Sequence, residues 1–163
     1  MRLSTKGRYA VMAMVDLAST SKGNPVALAD IAERQEISLS YLEQLFAKLR
    51  KGGLVKSVRG PGGGYLLAHA ADATRISDII LAVDEPIRTT RCANVTPQGC
   101  RTNRSRCLTH DLWEELGNQI HIYLSSVTVA DVVERRIIGT SMATLVRLPG
   151  EGDAGDDAAV AAE

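Results

Sequence analysis

Three cysteines and one histidine lie close together in the chain and offer four ligands for a metal. Cys92, Cys100 and Cys107 are the only cysteines, and His110 follows the last of them in the pattern C-x7-C-x6-C-x2-H. Thiolate sulfur and imidazole nitrogen are the donors that hold zinc ions and iron–sulfur clusters in proteins. This spacing predicts that Cys92, Cys100, Cys107 and His110 bind a metal cofactor.

The charge around the cysteines supports this prediction. No acidic residue lies between Pro86 and His110, and five arginines surround the cysteines: Arg88, Arg91, Arg101, Arg104 and Arg106. Guanidinium groups favour the thiolate form of cysteine and offset the negative charge that three thiolates concentrate. The segment is also polar, so it cannot bury thiols well by itself.

Other uses of the same residues are a disulfide, a catalytic pair or a structural zinc site. A disulfide would leave one cysteine over in a chain without secretory context. A Cys107–His110 pair could make a nucleophilic thiolate, but no third orienting group is evident. Zinc fingers with three cysteines and a histidine have similar spacing, although those that bind RNA stack bases on aromatic residues and 88–110 contains none. The zinc site and a small Cys/His enzyme remain the alternatives.

Charge is unevenly distributed along the chain. The 163 residues carry 19 basic and 19 acidic side chains, but residues 1–70 hold ten basic against five acidic, a net charge of +5. Residues 151–163 hold five acidic and no basic side chains. The basic front half is therefore suited to nucleic acid despite the neutral total.

The first residues resemble a signal peptide only superficially. Basic side chains precede the apolar run 10–15, but Asp16 interrupts that run and the pattern continues as a helix. No stretch is long and apolar enough to span a membrane. The sequence predicts a cytoplasmic protein with no membrane partner.

Apolar residues at helical spacing predict helices over about 5–20 and 28–35 and a third helix that ends at Gly52-Gly53. Ser38 or Ser40 can cap the third helix, and Ser40 with Glu43 fits a capping box. Two short strands, 54–58 and 65–67, flank a glycine-rich turn and predict a hairpin. Helix, short helix, turn, helix and hairpin together predict a winged helix-turn-helix.

Three more helices are expected after the hairpin. They cover about 76–83, 109–126 and 128–136, with the cysteine segment between the first two. The helix over 109–126 has a broad apolar stripe and little domain left to cover it, which suggests a dimer interface, with packing on its own subunit as the alternative. The fold class is thus mostly α with a small β-hairpin: a winged helix-turn-helix domain plus a long C-terminal dimerisation helix.

The outer face of the third helix predicts contact with DNA. That face carries small hydroxyls, an amide, a carboxylate and lysines: Ser40, Glu43, Gln44, Ala47, Lys48 and Lys51. Ser40, Glu43 and Gln44 are suited to base edges in a major groove, and the lysines are suited to phosphates. Arg59 in the glycine-rich turn can enter a narrow minor groove.

The beginning of the first helix carries further candidate contacts to DNA. Lys6, Arg8 and Tyr9 lie in its first turns and are predicted to contact the DNA backbone. The glycine run 60–64 is not a nucleotide-binding loop, because no Gly-Lys-Ser/Thr follows it and it lies inside a hairpin.

Several of these segments together are highly specific. They are MRL at 1–3, KGRYAV at 6–11, SLSYLEQLF at 38–46, SVRGPGGGYL at 57–66, RC at 91–92 and CLTH at 107–110. On these segments the chain resembles the IscR family of winged-helix iron–sulfur transcription regulators over about residues 1–135. The cysteine spacing departs from the family pattern, C-x5-C-x5-C-x2-H, by two extra residues and then one.

The resemblance implies a homodimer that binds one [2Fe–2S] cluster per subunit through Cys92, Cys100, Cys107 and His110. It implies contacts to bases from Ser38, Ser40, Glu43 and Gln44. It also implies that Arg59 enters the minor groove. The implied activity is transcriptional regulation rather than catalysis, with the cluster-bound form repressing cluster-assembly genes. The implied partners are double-stranded DNA with a pseudo-palindromic promoter site, a second copy of the chain, and cluster-assembly proteins as cluster donors.

Four segments are expected on this basis. They are a winged helix-turn-helix DNA-binding domain (1–86), a cysteine-rich cluster-binding loop (87–108), dimerisation helices (109–137) and a flexible, disordered acidic tail (138–163). Related nitric oxide sensors bind a [4Fe–4S] cluster and use an aspartate near the first helix. Position 8 here is Arg8, so that alternative fits less well.

Overall fold

The computed structural model describes residues 5–85 and 106–137, and these form a mostly helical fold with one short hairpin. In chain order the elements are α1 (Thr5–Ser21), α2 (Leu28–Gln35), α3 (Leu39–Lys51), β1 (Val55–Val58), β2 (Gly64–Leu67), α4 (Ile76–Ala82), α5 (His110–Ser126) and α6 (Val129–Val133). The predicted fold class is confirmed. The predictions for Cys92, Cys100 and the acidic tail lie outside the described residues.

Helix α1 is the centre of the core. Its buried face consists largely of small and flexible side chains, including Ala10, Ala13, Met14 and Leu17. Small residues let neighbouring helices approach closely, and α1 contacts α2, α3, α4, α6 and β2. Helix α3 and the hairpin, which carry most of the candidate DNA contacts, are thereby held against α1.

A buried carboxylate joins α1 to α2. The Asp16 side chain is only 5% exposed, and Arg34 donates to it from Nε and Nη2, the shortest bond being 2.6 Å. Gln35 Nε2 donates a further bond of 2.7 Å to Asp16 Oδ2. A buried carboxylate is tolerated when its oxygens are paired in this way. The ion pair therefore fixes the position of α2 on α1.

Helix α3 begins at Leu39, with Ser38 as its N-cap residue. Its hydrogen bonding starts at the Ser38 carbonyl, which accepts from the backbone N–H groups of Tyr41 and Leu42. The predicted capping box of Ser40 and Glu43 is wrong, because Ser40 lies inside the first turn. The Ser38 hydroxyl makes no capping hydrogen bond either, so both hydroxyls remain on an exposed surface.

The hairpin is extended by a third piece of chain that the sequence did not predict. Strands β1 and β2 pair antiparallel with Val55 opposite Leu67 and Val58 opposite Gly64. Val26, before α2, forms a bridge to Tyr65 through two backbone hydrogen bonds of 3.0 and 2.8 Å. A Cβ at position 64 would overlap the Val26 carbonyl, so this close approach requires glycine.

The last two helices have different surroundings. Helix α5 packs on α4 and is otherwise largely exposed, His110 being its one buried residue. Helix α6 returns to α1, where Val129 is fully buried. Thr128 and Asp131 form a capping box at its start, and the helix ends at Val133, earlier than the expected Arg136. Within the described residues, no helix has the length and apolar character needed to cross a membrane.

Asp16→Ala should lower the free energy of unfolding by about 2 kcal/mol, because it leaves Arg34 and Gln35 without their shared acceptor. Urea unfolding followed by circular dichroism measures this change. Asp72→Ala removes an exposed carboxylate and should change the same free energy by less than about 0.5 kcal/mol. Equal stability of the two variants would show that the Asp16 ion pair does not stabilise the fold.

Candidate nucleic-acid interface and metal-binding turn

The outer face of α3 presents four polar side chains. Ser38, Ser40, Glu43 and Gln44 are all exposed. The opposite face buries four apolar side chains in the core: Leu42, Leu45, Phe46 and Leu49. Because the buried face fixes the rotation of the helix, the four polar residues point together away from the core.

The hairpin lies beside α3, and its turn begins with an exposed arginine. The Leu54 N–H donates to the Leu49 carbonyl at 2.9 Å, which attaches the start of β1 to the end of α3. Arg59 follows β1 and is exposed. Gly60 and Gly62 adopt φ values of +107° and +71°, which L side chains rarely adopt, so this turn depends on glycine.

The three candidate residues of α1 differ in how exposed they are. Lys6 and Arg8 are exposed on the first turns, as a contact to phosphate requires. Tyr9 is half-buried, and its ring meets the Tyr41 ring edge-on with centroids 6.1 Å apart. Tyr41 belongs to α3, so the Tyr9 ring braces α1 against that helix.

Lys48 has a position that the sequence did not predict. Its Nζ lies 2.8 Å from Asp84 Oδ2, at the end of α4, rather than on the outer polar face of α3. Gly52 approaches the same end of α4, since a Cβ there would lie 3.0 Å from Ala82 Cβ. The end of α3 is thus attached to the end of α4, directly before the cysteine segment.

The surroundings of Asp84 keep its carboxylate ionised. A hydrogen bond from Lys48 and the charge of Lys48 lower the pKa of Asp84 below its ordinary value of 3.8, and the charges of Lys6 and Lys51 act in the same direction. Because the pKa of Asp84 is lowered, the ion pair stabilises the fold at pH values above the ordinary carboxyl pKa. This stabilisation is lost as the pH falls through the lowered pKa. At neutral pH the ion pair is therefore intact.

Cys107 and His110 are brought together by a turn that leads into α5. The His110 N–H donates to the Cys107 carbonyl at 3.0 Å. Cys107 is half-buried, and its Sγ lies 3.8 Å from Thr109 Oγ1. This turn places two of the four predicted ligands on one short stretch of backbone.

The His110 imidazole is buried with one nitrogen unsatisfied. The residue is 7% exposed, and its Nδ1 has no hydrogen-bond partner among the described residues. Leaving a buried polar atom unpaired costs about 1–3 kcal/mol, and such an atom in a native structure needs an explanation. A nitrogen lone pair reserved for a metal explains it, so His110 fits the predicted ligand set.

Two carboxylates and an arginine lie beside this turn. Ligand atoms of His110, Asp111 and Glu114 lie within 4.8 Å of one another. Arg106 Nη1 lies 3.2 Å from Asp111 Oδ1 and 4.0 Å from Glu114 Oε2. Because this guanidinium already neutralises both acids, the carboxylates form an ion-pair network rather than a vacant cation site.

Helix α5 carries an exposed apolar surface. Its members are large side chains with between 38% and 61% of their surface exposed: Leu112, Trp113, Leu116, Ile122 and Tyr123. Leu108, just before the helix, is 98% exposed. Contiguous exposed apolar side chains on one helix are typical of a protein–protein contact.

Four residues of the site were not predicted from the sequence. They are Tyr41, Asp84, Asp111 and Glu114. Glu114 follows His110 by four positions, which places both on one helix face, so the helical spacing could have identified it. Tyr41 and Asp84 meet partners from other helices, and no local pattern indicates such contacts.

The chain is similar to transcription regulators over most of its length. The family model described as Rrf2, iron-dependent transcriptional regulator, matches residues 3–135. The HTH-type transcriptional regulator IscR of Erwinia tasmaniensis is 56% identical over 138 residues, which are 85% of this chain and 82% of that protein. The protein of the same name from Yersinia pseudotuberculosis is 55% identical over the same shares of the two chains.

Two solved structures have similar folds. The structure of T. potens IscR has 40% identity and a TM-score of 0.66, covering 83% of this chain and 88% of that one. The structure of CymR, the global cysteine regulator of B. subtilis, has 35% identity and a TM-score of 0.68, covering 83% and 98%. These relatives are named regulators, which confirms the prediction of a regulator rather than an enzyme.

Proposed function

From the premise that this chain belongs to the Rrf2 family and is an IscR-type transcriptional regulator, we propose that a [2Fe–2S] cluster controls which promoter sites it binds. The proposed ligands are Cys92, Cys100, Cys107 and His110. The observation that carries the proposal is the buried Nδ1 of His110, one turn after Cys107; this nitrogen has no hydrogen-bond partner among residues 5–85 and 106–137. The proposed place of action is the cytoplasm.

The donor set suits a cluster that responds to supply. One neutral imidazole among three thiolates leaves the site less negative than four thiolates would, and imidazole is displaced by protons more readily than a thiolate. When bound, the cluster would link its four ligands to one another and so order the cysteine segment. The proposed consequence is repression of cluster-assembly genes by the cluster-bound form and release of those promoters by the apo form.

The proposed DNA contacts use the exposed side chains of α3, the hairpin and α1. Ser38, Ser40 and Gln44 would bind base edges in the major groove, and Glu43 would accept from cytosine N4 and disfavour other bases. Arg59 would enter the minor groove. The proposed backbone contacts are Lys6, Arg8 and Tyr9, of which Tyr9 is half-buried.

The proposed oligomer is a homodimer formed through the apolar surface of α5. Leu112, Leu116 and Tyr123 lie on this helix and are 40–61% exposed in the single chain. A second copy would cover them, and a two-fold axis would place two α3 helices on a pseudo-palindromic site about one helical turn apart. Cluster-assembly proteins are the proposed cluster donors.

The contact between α3 and α4 offers a physical route from the cluster to DNA. Lys48 on α3 pairs with Asp84, three positions before the predicted cysteine-rich loop (87–108) begins. A conformational change in that loop would move Asp84 and, through the ion pair with Lys48, the helix proposed to read bases. We expect this ion pair to carry part of the coupling between cluster and DNA.

Protein purified without oxygen should contain about two iron and two sulfide per chain and be reddish. Cys92→Ala and His110→Ala should each lose most of that iron, because three ligands hold the cluster less tightly than four. Elemental analysis with a visible absorption spectrum measures this. About four of each per chain would instead indicate a [4Fe–4S] cluster, and colourless protein with about one zinc would indicate a structural zinc site.

Gln44→Ala and Arg8→Ala should weaken DNA binding in different ways. Losing a base contact at Gln44 should cost about 1–3 kcal/mol and relax the preference at one base pair, whereas losing a phosphate contact at Arg8 should weaken all duplexes equally and reduce the salt slope by about 1. Fluorescence anisotropy titrations over a range of salt measure both effects. A uniform loss for Gln44→Ala would contradict base reading by that residue.

Lys48→Gln should reduce the ratio of DNA affinities between cluster-bound and apo protein by about fivefold, within the usual range of coupling energies. The reason is that the base-reading helix loses its attachment to Asp84. Lys56→Gln removes the same charge from an exposed position on β1, whose charge is not among those that lower the pKa of Asp84, and serves as the control. If both variants keep the wild-type ratio, the ion pair is not part of the coupling route.

A further inference from the structure

The two nitrogens of the His110 ring have different surroundings. Nδ1 is buried and has no hydrogen-bond partner within the described part of the chain, whereas Nε2 lies 3.8 Å from Glu114 Oε2. His110 and Glu114 are four residues apart on α5 and therefore share a helix face. Glu114 is about half exposed, so a small side-chain rotation can shorten the distance to a hydrogen bond.

This asymmetry selects the atom that can bind a metal. A neutral imidazole carries one proton, and the nitrogen without the proton offers its lone pair. A carboxylate beside Nε2 favours the proton on Nε2 and leaves the lone pair on Nδ1. Of the two ring nitrogens, the buried Nδ1 is also the one without a hydrogen-bond partner among the described residues.

Arg106 lies beside the same carboxylate. Its Nη1 lies 4.0 Å from Glu114 Oε2 and 3.2 Å from Asp111 Oδ1, so the guanidinium bridges the two acids. Arg106 directly precedes Cys107 in the sequence. The ion-pair network therefore spans from the backbone of one proposed ligand, Cys107, to the ring of the other, His110.

We propose that Glu114 is a positioning residue for the cluster ligand His110: it holds the proton on Nε2 and directs Nδ1 to the iron. This inference rests on the proposed cluster site and adds the binding atom and the residue that selects it. Carboxylates that bind the outer nitrogen of a ligating histidine fix the ring orientation and strengthen it as a donor. Removing such a partner typically costs 10–100-fold in metal affinity.

The direction of the effect separates positioning from simple charge. The proposed site with its cluster is negative, so an acid nearby repels it, and removal of the acid would slow cluster loss if charge alone mattered. A positioning role predicts the opposite, because the ring loses its orientation. Glu114→Gln keeps the shape of the side chain and removes the charge, which makes it the informative variant.

The test compares full-length cluster-bound protein as wild type, Glu114→Gln and Glu115→Gln. Glu115 provides the matched control, because it is the next acid on α5 and accepts from Gln119 at 2.6 Å instead of facing His110. The decay of cluster absorbance in excess iron chelator measures the rate of loss. We expect Glu114→Gln to lose the cluster roughly 10–100 times faster than wild type and Glu115→Gln to match wild type.

A second measurement identifies the binding atom. Wild-type protein is prepared with histidine labelled with ¹⁵N at either Nδ1 or Nε2, and the reduced cluster is studied by pulsed electron paramagnetic resonance. Strong coupling to labelled Nδ1 is expected. Strong coupling to labelled Nε2, or equal rates of loss for Glu114→Gln and Glu115→Gln, would overturn the role of Glu114 while leaving the cluster in place. Protein without iron, or a cluster without any histidine coupling, would overturn the proposed ligand set itself.

Discussion

Close packing against α1 is the constraint on which the rest of the described structure depends. Ala10 and Ala13 are small enough to let four other helices and a strand approach one helix, and the Asp16–Arg34 ion pair fixes α2 among them. Interiors packed to crystal-like density move as units rather than deform continuously. One arrangement is therefore imposed on the outer face of α3, the hairpin and the end of α4. A displacement of one of these elements is expected to move the others.

The two ends of the cysteine segment meet this unit in different ways. Its start follows Asp84, which is paired with Lys48 on α3, the helix proposed to read bases. Its end is the Cys107–His110 turn at the start of α5, the helix that carries the exposed apolar surface. A cofactor bound there would tie together the helix proposed to read DNA and the helix proposed to form the dimer. This arrangement is consistent with a regulator in which cluster supply alters the choice of DNA site.

Local patterns predicted the elements, whereas contacts between distant residues could not be predicted from them. The bounds of α2 followed from apolar spacing, and Cys107 and His110 were predicted together because only two residues separate them. The start of α3 was predicted less well, since Ser38 and Ser40 are equally good capping residues and only the backbone hydrogen bonds distinguish them. The pairing of Val26 with Tyr65 and of Lys48 with Asp84 depends on how separate elements pack. Helical spacing alone placed Lys48 on the DNA side, and the close approach of Gly52 to Ala82 explains why it lies elsewhere.

The most direct test of cluster-controlled DNA binding is the affinity of one preparation for DNA before and after removal of its cluster. Fluorescence anisotropy at fixed salt would compare a promoter duplex of cluster-assembly genes with a second duplex that the apo form binds. Cluster removal is predicted to weaken binding to the first duplex by about tenfold or more and to leave the second unchanged. Equal affinities of the two forms for every duplex tested would contradict control of site choice by the cluster.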